Sequence, residues 1–228
     1  MNIIVTGCSR GIGLELVKLF CADEGNNVVG ISRNIGSVVN EIKTAKNTFF
    51  YPITYDLNSL NIDLKEIVLS KINSADILIN NVGLLINKRF EDFTDDEFDL
   101  LFNTNVKSVF KLVRLFINNM NNPSHIVNIS SMGGFQGSAK FSGLSLYSSS
   151  KGALNTLTEC MAEEFKDKGI SVNSLCLGAV NTEMLRIAFP GYKAQTEPDK
   201  MASFIKNFSE NCASVFNGKI LPVSISTP

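Results

Sequence analysis

The sequence predicts an α/β protein: a doubly wound parallel sheet of about seven strands with helices on both faces. Three observations carry that expectation. Seven short runs are apolar at odd and even positions alike, as strands covered on both faces must be. The residues between them repeat apolar side chains at helical spacing. No Pro/Gly/Ser-rich linker interrupts the alternation over 228 residues. Alternating strand and helix gives a parallel sheet, because each right-handed crossover returns the chain to the same end of the sheet.

Taken in order, strands are expected at 3–5, 27–31, 48–53, 77–79, 126–129, 171–175 and 219–223. A helix over 13–21 places Leu14, Val17 and Phe20 or Cys21 on one face. The stretch 95–120 carries the longest stripe (Phe98, Leu101, Phe102, Val106, Val109, Phe110, Val113 and Ile117) and is expected as one helix. A third helix over 151–166 uses Leu154, Leu157, Met161 and Phe165, and Lys168-Gly169 ends it. The expected organisation is one domain over 1–228, with a short substrate-covering segment near 183–198.

Composition excludes several classes of function. Lys+Arg 21 against Asp+Glu 22 gives a net charge of −1, which offers no electrostatic case for nucleic acid or an anionic membrane. No segment approaches the ~20 apolar residues of a bilayer span, and no basic, apolar leader opens the chain. The five cysteines (Cys8, Cys21, Cys160, Cys176 and Cys212) form no C-x-x-C pair. That is the pattern of reduced thiols in a cytoplasmic protein rather than of a disulfide framework or zinc site. With His125 the only histidine, a multi-histidine metal site is impossible, and no metal is expected.

In doubly wound sheets ligands bind beyond the carboxyl ends of the strands. After the first run comes Thr6-Gly7-Cys8-Ser9-Arg10-Gly11-Ile12-Gly13. Its glycines permit a tight turn and close approach of a phosphate to backbone N–H groups at a helix N-terminus. The same stretch satisfies G-x-S-x-G, a hydrolase nucleophile elbow. That reading is disfavoured, because the only available base, His125, lies mid-chain and opens a strand. An acid ~20 residues past the glycines would bind the ribose 2′-OH of NAD(H). Here Ser32-Arg33-Asn34 stands there instead. A guanidinium grips a 2′-phosphate bidentately, so Arg33, with Arg10 in reach of the same group, favours NADP(H) over NAD(H).

Together these residues resemble the short-chain dehydrogenase/reductase family, in its compact single-domain branch, almost end to end. The carriers are the glycine motif, Asp56-Leu57, Asn80-Asn81-Val82-Gly83, Asn105 in Asn103-Thr104-Asn105-Val106, Ile129-Ser130-Ser131, Tyr147-x-x-x-Lys151 and Gly178-Ala179-Val180-Asn181-Thr182. The resemblance implies a Rossmann-like NAD(P)-binding domain. It also implies hydride transfer between nicotinamide and a carbonyl or alcohol, with Asn105, Ser131, Tyr147 and Lys151 as the catalytic set. Residues i and i+4 share a helical face, so Lys151 is expected beside Tyr147, where a cation favours the phenolate. Ser131 would hold the substrate oxygen, Lys151 the nicotinamide ribose, and Asn105 a proton-relaying water. The alternative for Asn105 is a structural residue at a helix kink. Asp56 and Leu57 would contact adenine, Asn81 and Gly83 the adenosine ribose, and Val180 and Thr182 the nicotinamide amide and pyrophosphate. For Asp56 the alternative is a turn cap, and for Gly83 a positive φ.

The chain also departs from the family. Ser131 to Tyr147 leaves fifteen residues, more than is usual, and Ser138 in that longer stretch is a rival for the serine role. The C-terminus lacks the usual acidic Gly-Gly ending. Residues 134–146 and 183–198, with Phe135, Phe141, Leu144, Phe189 and Tyr192, are expected to wall the substrate pocket, and a homodimer or homotetramer is expected from relatives. The competing reading is a non-catalytic NADP(H)-sensing regulator on the same scaffold. A sugar epimerase or dehydratase is disfavoured because no substrate domain follows the sheet.

Overall fold

The computed structural model describes residues 1–59 and 63–225, without the side chains of Ser37 and Val38. The last three residues of the expected 1–228 span lie outside that description. Seven strands form one parallel sheet: β1 Asn2–Thr6, β2 Asn27–Ser32, β3 Phe49–Thr54, β4 Ala75–Asn80, β5 Met120–Ser131, β6 Ile170–Leu177 and β7 Ile220–Val223. Their order is β3-β2-β1-β4-β5-β6-β7. The chain winds outward from β1 to β3, crosses to β4 on the other side of β1, and winds outward again. The reversal opens a crevice at the carboxyl ends of β1 and β4, where such sheets bind ligands. Each of the seven expected runs is a strand.

Both faces are covered, and the strands alternate between two cores. Ile3 and Val5 face one core with Leu16, Val17 and Phe20 of α1 (Gly11–Cys21) and Ile205 and Phe208 of α7 (Pro198–Asn211). Ile4 faces the other, with Leu64 and Val68 of α2 (Asp63–Leu69), Leu112 and Phe116 of α4 (Ser108–Phe116) and Leu154 and Met161 of α5 (Ser145–Phe165). At about 1.5–3 kcal/mol per buried large apolar side chain, these two layers hold the sheet rigid at the crevice. The remaining helices are α3 (Asp95–Phe102), closed at its start by a Thr94–Glu97 capping box, and α6 (Glu183–Ala188), capped by Thr182.

Three expectations need correction. The single helix over 95–120 is interrupted by a π-helical turn at Asn103–Lys107, and α4 ends at Phe116. Met120 belongs to β5, paired with Ala75, because Asn121 reaches Asp76 and carries the strand six residues ahead of its expected apolar run. The third helix starts at Ser145, not 151, since Gly143 takes a positive φ that turns the chain into it. Its end agrees with expectation: Gly169, at φ 69°, closes the following turn. Helices α2, α6 and α7 were not anticipated. For α7 the signal was present, with Pro198 at the first turn and Met201, Ile205 and Phe208 at helical spacing.

Candidate active site

The glycine loop is built by exclusion. A Cβ on Gly13 would stand 2.2 Å from the Gly7 carbonyl oxygen, so only glycine lets α1 start this close to β1. Gly7 and Gly11 take positive φ, and the Gly7 N–H is tied to Ile31 O at 2.8 Å. No side chain caps α1, and its first turn holds no acid. Its leading amides and positive dipole end therefore face the crevice uncompensated. Cys8 is buried against Gly30, and burial pushes its thiol up to about 12. Its side chain is core, and only its backbone belongs to the loop. Ile12 likewise packs its side chain on the core.

At the end of β2, Ser32 donates to the Ser9 hydroxyl at 3.0 Å, joining the second strand to the loop. Arg33 is exposed and lines an open recess with Thr54, Tyr55, Asp56 and Ser59. Asp56 also accepts from Asn58 N, the turn cap that was its alternative reading. Leu57 buries its side chain among Leu64 and Val68 and does not reach the recess through it. Arg10 departs from expectation: its guanidinium pairs with Glu183 at 2.8 Å, on the opposite wall of the crevice.

At the end of β4, the Asn81 side-chain amide donates to Thr6 O and Gly7 O, both at 3.1 Å, and so braces the glycine loop. Gly83 is not among the positive-φ glycines. Its smallness serves close approach instead, because a Cβ there would stand 3.4 Å from Lys151 Nζ and 3.6 Å from Asn105 Oδ1. After β6, Val180 is buried and bridges to Thr196. Thr182 lies 3.3 Å from the Cβ position of Gly11, which places this turn against the glycine loop.

Ser131 ends β5, and alternation along the strand separates it from Ser130. Ser130 points inward and donates to Lys151 O, whereas Ser131 accepts from Gly133 N and hydrogen-bonds the Tyr147 phenol. A Cβ on Gly134 would stand 2.5 Å from the Lys151 carbonyl carbon. The loop after β5 can therefore lie directly on α5, which sets Ser131 against Tyr147. Ser138 is withdrawn from the contest: its hydroxyl has Met132 O and Phe135 O of its own loop within reach of its proton and accepts from Lys140.

Lys151 is 4% exposed and donates to Ile129 O at 2.8 Å. Burial lowers its pKa to about 8. Burial is also the first influence on Tyr147, raising its phenol above the ordinary value, and the Ser131 hydrogen bond opposes it. The ammonium serves the Ile129 carbonyl, and Ser131 is the group that favours the phenolate.

Asn105 sits in the π turn, fully buried. Its Oδ1 accepts from Leu84 N at 2.8 Å, and its Nδ2 donates to Leu84 O and Ser150 Oγ, both at 2.9 Å. It therefore fastens the segment after β4 to α5, one residue from Lys151. Two supports escaped sequence reading. Asn155 donates to Gly134 O and accepts from Ser174, stapling the serine loop between α5 and β6. Residues 84–88 tie the two expected pocket segments to the end of β4: Asn87 donates to Ala188 O in α6 and Lys88 N donates to Gly143 O. Both depend on long-range partners that no local pattern announces. His125 lies about 20 Å back along β5 from Ser131, so it takes no part in the site.

A glycine loop at a sheet reversal, with a Ser at the end of β5 and a Tyr and Lys on α5, defines a dinucleotide-dependent class of fold. The family model described as short chain dehydrogenase matches residues 1–192, and the chain belongs to that family. Carbonyl reductase (NADPH) 2 from Sus scrofa is 33% identical over 189 residues, covering 82% of this chain and 74% of that protein. The 3-oxoacyl-(acyl-carrier-protein) reductase FabG from Vibrio harveyi is 26% identical over 235 residues, covering 97% and 94%. A short chain dehydrogenase from Burkholderia cenocepacia J2315, solved in complex with NADP, superposes with a TM-score of 0.85 at 25% identity, covering 97% of this chain and 95% of that one. A 3-ketoacyl-(acyl-carrier-protein) reductase from Brucella melitensis, complexed with NADH, gives 0.86 at 25% identity, covering 98% and 96%. No helix among the described residues is long and apolar enough to cross a membrane.

Proposed function

We propose that the chain is an NADP(H)-dependent carbonyl reductase or alcohol dehydrogenase in which Tyr147 exchanges the proton. The reading is supported by Ser131 at the end of β5 beside the Tyr147 phenol, by Lys151 one helical turn further along α5, and by a glycine loop whose following helix has no side-chain cap. The residues present fit a dinucleotide. The Gly7–Gly13 contact leaves room for a pyrophosphate and for no side chain, and the uncapped start of α1 supplies donors for its oxygens. In this reading the backbone of Gly7, Cys8, Ser9, Gly11, Ile12 and Gly13 holds the phosphates. Ser32, Arg33 and Asp56 take the adenosine end, with Arg10 and Arg33 as the pair for the 2′-phosphate, and Asn81, Gly83, Val180 and Thr182 line the way to the nicotinamide. NADP(H), when bound, supplies hydride chemistry at nicotinamide C4. The relatives named for NADPH and solved with NADP support this choice, as does the absence of an acid at 32–34.

The protein's own work is orientation and proton transfer. Ser131 donates a hydrogen bond to the carbonyl oxygen and steadies charge developing there. Tyr147, whose ordinary pKa of about 10 leaves it protonated at pH 7 and which burial shifts further up, is in the form a proton donor needs for reduction. Lys151 offers its remaining N–H groups beside Gly83, and Asn105 holds the wall that faces it. Residues 1–228 read as one domain, with 183–198 covering the substrate from α6. The five cysteines suit a reducing cytoplasmic compartment. Exposed Phe98, Leu100 and Phe110 on α3 and α4 suit pairing with a second copy.

The test is NADPH and NADH titration by nicotinamide fluorescence, followed by turnover across a panel of aldehydes and ketones. Turnover with NADPH that vanishes in Tyr147→Phe supports the proposal. Turnover that survives the substitution sinks the acid–base assignment. Tight cofactor binding with no turnover on any substrate favours the regulator.

A further inference from the structure

The Arg10–Glu183 pair spans the crevice between its two walls. Arg10 is the last residue before α1, with an extended backbone (φ −164°, ψ 170°), and Glu183 is the first residue of α6. Their contact is 2.8 Å, and both side chains are about half exposed, at 57% and 50%. Among the described hydrogen bonds and ion pairs Arg10 has no other partner. The pairing is imposed by the fold. Thr182 packs on Gly11, and the Thr182 hydroxyl caps α6, so Glu183 is delivered one residue beyond the glycine loop. On its other side Arg10 follows Ser9, which is hydrogen-bonded to Ser32 beside Arg33. One guanidinium thus stands between two anionic destinations: the carboxylate on α6 that it contacts, and, on the reading proposed above, the 2′-phosphate position beside Ser9, Ser32 and Arg33.

We propose that Glu183 is a specificity-determining residue, which competes with the 2′-phosphate of NADP(H) for Arg10. The inference rests on reading Arg10 and Arg33 as the 2′-phosphate pair. A phosphate monoester carries about −1.5 to −2 charges at pH 7 against one on a carboxylate, so it wins the guanidinium, but only after the pair with Glu183 is broken. NADH has no such group and leaves the pair intact. Glu183 therefore weakens NADPH binding and leaves NADH binding alone.

The experiment is a fluorescence titration with NADPH and NADH on the wild type, Glu183→Gln, Arg10→Gln and the double variant. An exposed pair of this kind predicts about 2–5-fold tighter NADPH binding in Glu183→Gln with NADH unchanged. In the Arg10→Gln background the same substitution should change neither cofactor, because the contested group is gone. Unchanged NADPH affinity in Glu183→Gln overturns the inference. So does an equal shift for both cofactors, which would report altered α6 packing rather than competition for charge. If Arg10→Gln lowers the NADPH-to-NADH preference and Glu183→Gln fails to raise it, only the Glu183 inference falls. If Arg10→Gln leaves that preference untouched, the 2′-phosphate reading of Arg10 falls and the inference with it.

Discussion

Lys151 and His125 are two buried basic side chains served by one strand, and they have opposite fates. Lys151 is 4% exposed and His125 1%. Burial pushes both down, the lysine to about 8 and the histidine to about 4. The difference lies in what each has left to give. His125 has both ring nitrogens committed, Nδ1 to Ser209 O at 3.0 Å and Nε2 to the Asn173 amide at 2.9 Å. Those partners assign the proton to Nδ1. Phe208 of α7 covers the ring at 5.3 Å. Lys151 commits one N–H to Ile129 O and holds the others beside Gly83, where the crevice opens. A perturbed pKa therefore marks both a structural and a chemical residue. Uncommitted hydrogen-bonding capacity facing an open cleft tells them apart.

The largest test of that contrast removes chemistry at one region without touching the other. Tyr147→Phe should cut turnover by roughly 10²–10⁴-fold, while NADPH affinity moves less than about 3-fold and the melting temperature holds. Lys151→Met should also abolish turnover yet leave unfolding free energy equal or higher, since an apolar side chain there no longer buries a charge. Stopped-flow turnover beside denaturant unfolding of the same samples decides it. A Lys151→Met variant that unfolds readily would make the lysine as structural as the histidine.

His125 should show the reverse, in stability and not in rate. Its folded pKa near 4 lies below the ordinary value of 6.5, so the unfolded chain binds more protons between those limits. Stability is fully present above pH about 6.5, falls as pH drops toward 4, and levels off below that. The loss attributable to this residue is about 3 kcal/mol. His125→Gln should flatten that part of the profile and keep turnover at neutral pH. Urea unfolding at several pH values, read against the variant, measures the difference.

A smaller effect is expected at Asn155, which ties the chemical region to the core. Asn155→Ala strands the Gly134 carbonyl and the Ser174 hydroxyl, at about 1–3 kcal/mol of stability. It also loosens the loop that aims Ser131. A drop in kcat with KM nearly constant would show that the support acts through Ser131. Unchanged kcat would confine Asn155 to the fold.

The strands were legible because both faces of each are buried, so apolar residues need no alternation, and the Tyr147–Lys151 pair because helical spacing is local. What escaped depends on partners far along the chain. The polar start of β5 is a strand only because Asn121 meets Asp76. Arg10 turns from the expected phosphate site because Glu183, 173 residues on, is packed beside it. The π turn has no local signature beyond an asparagine inside an apolar stripe, and its bonds to Leu84 and Ser150 explain that asparagine only once the fold is formed. Helix α6, six residues long and capped by Thr182, is too short for periodicity to show.

The smallest prediction concerns the serine that sequence left in competition. Ser138 lies in the lengthened stretch between Ser131 and Tyr147, and distance along the chain did not separate the two candidates. Hydrogen bonding does. The Ser138 hydroxyl already has two carbonyls within reach of its proton, Met132 O at 2.5 Å and Phe135 O at 2.9 Å, and accepts from Lys140. A hydroxyl has one proton to give, so donating to a substrate oxygen would require dismantling that knot. Ser131 accepts from Gly133 N and meets the phenol directly. Ser138→Ala should therefore cost only about 1 kcal/mol of stability and leave turnover within about 2-fold, whereas Ser131→Ala should lose on the order of 10²-fold or more. Equal losses from the two would place both hydroxyls at the reacting oxygen and make the longer loop part of the catalytic apparatus.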